Sequence, residues 1–158
     1  MAKYATMVND YTTSTTNLSV LGAYMLTTAT CFGEIIEVIV TGSGSTAAAD
    51  TQTRAALVGC TFGATGVSTS ITPIPFSNGT VAAVGNYGTT YTTEPTTTSA
   101  VTPVTFGFNQ RGGMRWAVPQ GEGYKIKADG GTERGAVVMI KAAAAGKADC
   151  NMHFWLAN

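Results

Sequence analysis

The stretch Phe108–Gly123 places two arginines (Arg111, Arg115), a tryptophan (Trp116) and a carboxylate (Glu122) within sixteen residues, the densest run of chemically capable side chains in this 158-residue chain. Catalysis there would need these groups to converge with an acid, a base or a nucleophile. The punctuation of the stretch points to a different use. Phe106 and Phe108 end one strand, Asn109–Gly113 makes a connection, Met114–Val118 forms the next strand, and Pro119–Gly123 turns into a third. Arg111 and Arg115 then point outward, where a planar guanidinium can pair with carboxylates or backbone carbonyls of a neighbouring subunit.

The other titratable groups are few and scattered. His153 is the one histidine and lies on the outer face of the terminal strand, beside Trp155. Glu34 and Glu37 are close in sequence, but strict alternation sends them to opposite faces of a strand, a poor acid–base pair. There is no G-x-S-x-G elbow, P-loop or H-E-x-x-H, and Gly42-Ser-Gly44 lacks the third glycine of a dinucleotide fingerprint. One histidine and three dispersed cysteines make no metal cluster, and Asp129–Glu133 reads as a hairpin turn instead of a calcium loop. These residues predict no enzyme, no metal and no cofactor.

Charge narrows the class further. Nine Lys/Arg balance nine Asp/Glu, charged residues make up only 11% of the chain, and the formal net charge is zero. Nucleic-acid binders carry a basic excess that displaces counterions from phosphates, and this chain has none. A neutral, sparsely charged surface tends to self-associate, which favours an assembly component. No apolar run approaches the length of a membrane span, and residues 1–17 contain no continuous apolar segment of the kind that directs secretion. Cys31, Cys60 and Cys150 are an odd, widely spaced set and read as buried free thiols.

The elements that must position these residues are strands. Threonine is the commonest residue and there are nineteen glycines, a composition that leans all-β. Residues 1–19 are polar and rich in Thr and Tyr, and are expected to form an extended N-terminal arm whose Tyr4 and Tyr11 lie on the chain's own domain or on a neighbour. Glu34–Val40 is the strongest strand. Alternation would put Ile36, Val38 and Val40 on one face and Ile35 and Ile39 on the other, so both faces are apolar. Arg54–Phe62 follows, with Ala56, Val58, Cys60 and Phe62 toward the core. Residues 63–100 read as long loops with one or two short strands, Pro73 and Pro75 excluding a central position. In the last third, Trp116 runs in phase with Met114 and Val118 toward the core, Ala136–Lys141 is again apolar on both faces, and Cys150–Leu156 alternates. Many short strands separated by turns every ten residues or so describe a sandwich or jelly roll. A carbohydrate-binding jelly roll is the alternative function, with Tyr87 and Tyr91 in a Thr/Gly loop as candidate sugar platforms.

Several segments are also similar to a known family. Gly33–Gly42 resembles the first core strand of tailed-bacteriophage jelly-roll head proteins, and Ala55–Thr61 followed by Thr72–Phe76 resembles their next segment. Phe108-Asn109 with Met114–Glu122 is similar to their central strand and its Pro-Gly turn. The resemblance runs over about residues 20–157 in order. It implies a capsid decoration (cement) protein: an all-β jelly-roll β-sandwich spanning residues 20–158 behind the arm at 1–19, trimeric, located on the outer surface of the virion capsid. Its partners would be the major capsid protein and two further copies of itself, with no nucleic acid, membrane or cofactor involved. The strand phases nominate Ile35, Ile39, Val137, Met139 and Trp155 for the trimer interface. Tyr4, Tyr11, Arg111 and Arg115 are nominated for contact with the capsid.

Overall fold

The computed structural model describes residues 2–25, 32–43, 51–62, 67–77, 85–97, 102–127 and 133–157. They run through thirteen strands: β1 (Ala2–Thr12), β2 (Leu18–Tyr24), β3 (Phe32–Gly42), β4 (Gln52–Phe62), β5 (Val67–Ser70), β6 (Ile74–Pro75), β7 (Asn86–Thr93), β8 (Thr96–Thr97), β9 (Val104–Asn109), β10 (Gly113–Ala117), β11 (Tyr124–Lys127), β12 (Glu133–Ala142) and β13 (Lys147–Ala157). One sheet has six strands in the order β10-β3-β13-β1-β6, with β11 also pairing β3. The other has seven in the order β5-β7-β2-β12-β4-β8, with β9 also on β4. The two antiparallel sheets pack against each other as a β-sandwich, as the alternating, turn-punctuated sequence predicts.

Apolar burial between the sheets is the main source of cohesion. Ile35, Val38, Val40, Met152 and Phe154 of the first sheet meet Leu21, Leu57, Val138 and Ile140 of the second, all essentially inaccessible to water. Each such side chain contributes roughly 1.5–3 kcal/mol relative to exposure. The Phe154 ring anchors the centre, stacked on Tyr4 at 5.9 Å and on Tyr87 at 5.2 Å between ring centroids. Cys60 and Cys150 are buried free thiols, as their spacing suggests, and burial pushes the pKa of each up to about 12. Cys31 lies outside the described residues.

The N-terminal segment differs from the expectation of an arm. Residues 2–12 are the strand β1, bonded to β13 along its length and to β6 on its other side, and Tyr4 is 1% exposed. Ala2, Tyr4 and Val8 pack on the core while Lys3, Met7 and Asn9 alternate with them, so a strand period lies inside what composition alone reads as a polar tail. A domain boundary at residue 19 therefore has no counterpart in the sandwich.

β12 is apolar on both faces, as expected of residues 136–141, and the chain itself covers the second one. Behind the seven-stranded sheet a separate apolar cluster gathers Tyr24, Ala56, Val58, Cys60, Tyr91, Val137 and Met139. Ala56, Val58 and Cys60 of β4 thus face this cluster, while Ala55 and Leu57 supply the main core. Val137 is completely buried and Met139 8% exposed, so neither side chain has surface left for a sister subunit. Tyr24 and Tyr91 close the cluster with a 2.9 Å bond between their hydroxyls. They fit because residue 22 is glycine: a Cβ there would collide with the Tyr91 hydroxyl.

Candidate interaction face

The outer face of the six-stranded sheet owes its composition to one irregularity. β13 pairs with β3 through His153↔Glu37 and then Phe154↔Ile35, leaving Ile36 as an extra residue. This bulge inverts the phase of the first half of β3. Ile35 turns into the main core together with Val38 and Val40, and Glu34, Glu37 and Ile39 share the opposite face. Ile35 is fully buried and presents nothing to another subunit. The two glutamates, expected on opposite faces, lie on the same one.

Strand register arranges this face in three rows. Lys3, Trp155, Glu34 and Lys125 form one, Ala5, His153, Glu37 and Ala117 the second, and Met7, Asn151, Ile39 and Arg115 the third. The edge strand β6 adds Ile74 beside Ala5 and brings Phe76 next to Lys3. Both glutamates are almost completely buried, so each needs its lone pairs satisfied. Glu34 Oε1 accepts from the backbone N–H groups of Gly121 and Gly123, each at 2.7 Å. The glycine-rich turn of the conspicuous 108–123 stretch is therefore a clasp over Glu34. Residue 123 must lack a side chain because a Cβ there would run into the Ile35 carbonyl oxygen.

Glu37 is gripped from two sides. Arg115 Nε donates to one carboxylate oxygen, and His153 Nδ1 lies 2.6 Å from the other. Burial works against the charge, but the hydrogen bonds and positive charge supplied by Arg115 and His153 outweigh it and hold the carboxyl below the usual carboxylate range. Phe76 meets the His153 ring edge-on with centroids 5.0 Å apart, and Lys3 Nζ stands 4.5 Å above the Phe76 ring. A line of contacts thus crosses the sheet: Lys3, Phe76, His153, Glu37, Arg115. The Glu37–His153 pair has the spacing of a proton-transfer dyad. Its cross-strand neighbours are Ala5 and Ala117, which offer no reactive group, and Arg115 already neutralises the carboxylate.

Of the nominated contact residues, Ile39, Trp155 and Arg115 come together here. Ile39 and Trp155 are half-buried, Arg115 keeps 67% of its side chain exposed, and Met7, Ile74 and Phe76 are exposed nearby at 40%, 53% and 55%. The others sit elsewhere. Tyr4 is inside the core and cannot reach a shell. Tyr11 is half-buried against the main core beside a β-bulge, and Arg111 is exposed on the turn after β9. Tyr87 and Tyr91, the proposed sugar platforms, are both buried, one in each cluster. The residues that sequence reasoning missed are Glu37 and His153 as partners, with Phe76 and Lys3 beside them. Alternation sends Glu37 and His153 outward, but nothing local to either segment specifies that β3 pairs with β13 in the register that joins them. Compared with protein-family models and with curated proteins, the chain matches none.

Proposed function

We propose that this chain is a structural virion protein, a capsid decoration or cement protein that binds the outer shell as a homotrimer and stabilises it, and that the outer face of the six-stranded sheet carries its protein contacts. The observation that carries this reading is the gathering of half-buried Trp155 and Ile39 with exposed Phe76, Ile74, Met7 and Arg115 on one pleated surface. Interface cores are enriched in aromatic residues, Met and Arg, and exposed apolar patches rimmed by polar groups mark association sites. The bound Glu37 fixes Arg115 and His153 in place, so less side-chain entropy is lost when a partner arrives.

Strand order adds support. β1-β13-β3-β10 in one sheet and β2-β12-β4-β9 in the other alternate along the chain as the paired Greek keys of a jelly roll do. This agrees with the head-protein resemblance of residues 33–42 and 108–122. On this reading the major capsid protein and two sister subunits compete for nothing chemical; area and shape bind them.

Light scattering on the purified chain tests the assembly, and co-sedimentation with empty phage shells tests the attachment. We expect a mass three times 16.2 kDa. Trp155→Glu and Ile39→Glu should reduce it to that of one chain, with the thermal melt preserved. A wild-type monomer that leaves shells uncoated would refute the proposal.

A further inference from the structure

A second surface feature lies on the opposite sheet. Gln52, Arg54, Thr105, Gly107, Lys141 and Ala143 line an open groove of about 420 Å³ at one end of β4, β9 and β12, within the range of roughly 300–1,000 Å³ usual for small-ligand sites. Its floor is bare and apolar where Gly107 sits opposite Arg54, with the edge of Phe106 beneath. Arg54 and Lys141 are direct cross-strand partners, both exposed. Like charges in that register repel and weaken the sheet. The chain is electrically neutral, and in the described residues neither cation has an acidic partner. Two cross-strand cations lining one groove, with no acidic partner among the described residues, form a site complementary to a carboxylate.

We propose that this groove binds an acidic peptide segment of a partner protein, an Asp or Glu carboxylate seated between Arg54 and Lys141 with its main chain lying over Gly107 and Ala143. The guanidinium fork supplies two parallel donors and the ammonium a third, while the bare floor admits an extended backbone that a side chain at 107 would obstruct. The groove is on the face away from Trp155 and Ile39, so this inference stands independently of the shell-binding proposal.

The test uses the full-length, isotopically labelled protein, titrated with N-acetyl-Ala-Glu-Glu-Ala-amide while amide chemical shifts are followed. Saturable shifts at Arg54, Gly107 and Ala143 are expected, with no response to the Gln-Gln version of the peptide. Arg54→Gln combined with Lys141→Gln should weaken the Glu peptide about tenfold or more. The melting temperature of that variant should hold or rise, because a repulsion is removed. Gly107→Val should also weaken the peptide while leaving both charges in place. Sodium sulfate at matched ionic strength is the control. If sulfate produces the same saturable shifts, the site is a general anion site and the peptide assignment is wrong. Shifts that persist in the double variant, or no saturable shifts at all, overturn it as well.

Discussion

Glu37 Oε2 and His153 Nδ1 stand 2.6 Å apart although 116 residues separate them in the chain. Both belong to central, adjacent strands, and both face out by alternation, Glu37 beside inward Val38 and His153 between inward Met152 and Phe154. The pair joins the strongest strand of the sequence to its last one, and its energetics should be measurable. Glu37 is buried and its carboxyl is held below the ordinary range, with burial opposing and the Arg115 and His153 bonds prevailing. A group with a depressed folded pKa stabilises the fold above its unfolded pKa and loses that contribution as pH falls through the folded one. Glu37→Gln should therefore destabilise the protein at pH 7 by about 1–3 kcal/mol. The gap to wild type should close as the pH drops below the ordinary carboxylate range. Arg115→Ala should cost less, about 1 kcal/mol or under, because that side chain is largely solvated. Melts of the three proteins from pH 7 down to pH 3 would check this, and a gap that widens in acid would contradict it.

Removal of the N-terminal strand should be catastrophic instead of silent. Deleting residues 2–12 strips one of the two partners from β13, leaves β6 unpaired and takes Tyr4 out of its stack with Phe154. We expect insoluble protein or loss of a cooperative melt. The milder Tyr4→Ala should still fold, destabilised by about 3–5 kcal/mol as for other large buried aromatics. A truncated chain that melts like wild type would show that β1 is dispensable.

The cluster behind the seven-stranded sheet offers a coupling experiment. Gly22→Ala pushes a methyl into the Tyr91 hydroxyl and should cost about 1–3 kcal/mol. Tyr91→Phe alone should cost about 1 kcal/mol through the lost bond to Tyr24. Combined, the two should cost less than their sum, since the second substitution removes the atom that the first one strikes. Additivity in denaturant titrations would mean the slot has closed some other way.

Thiol chemistry should report burial directly. With pKa values near 12 and little or no solvent access, Cys60 and Cys150 are neutral and shielded at pH 8. Iodoacetamide should leave both unmodified in the folded protein and alkylate them promptly in guanidinium. Peptide mass mapping distinguishes them, and rapid labelling of either one in native buffer would disagree with the packing described above.

The β class, the free thiols and the outward setting of Arg115 and Trp155 were legible in residue order, because alternation and turn residues act locally and pleating carries them to a face. The two-faced apolar character of residues 136–141 was equally plain, whereas that expected of residues 34–40 gave way to an outer face carrying Glu34 and Glu37 beside Ile39. What covers the second face of β12 was not plain, since nothing in Val137 or Met139 specifies whether Tyr24 and Tyr91 or another subunit will meet them. Tertiary structure decided that, together with three further matters. A single bulge at Ile36 turned Ile35 inward and set Glu34 beside Glu37, and a one-residue slip reverses every side chain before it. Pairing with β13 and β6 made a strand of a segment whose composition suits a tail, because hydrogen-bonding partners remote in sequence supply what local propensity does not. The meeting of Arg54 with Lys141 also needed the sheet, since register between β4 and β12 is set by the whole core they share. Periodicity along the chain determines which kind of surface a strand presents; only the register between strands determines whose side chain it faces.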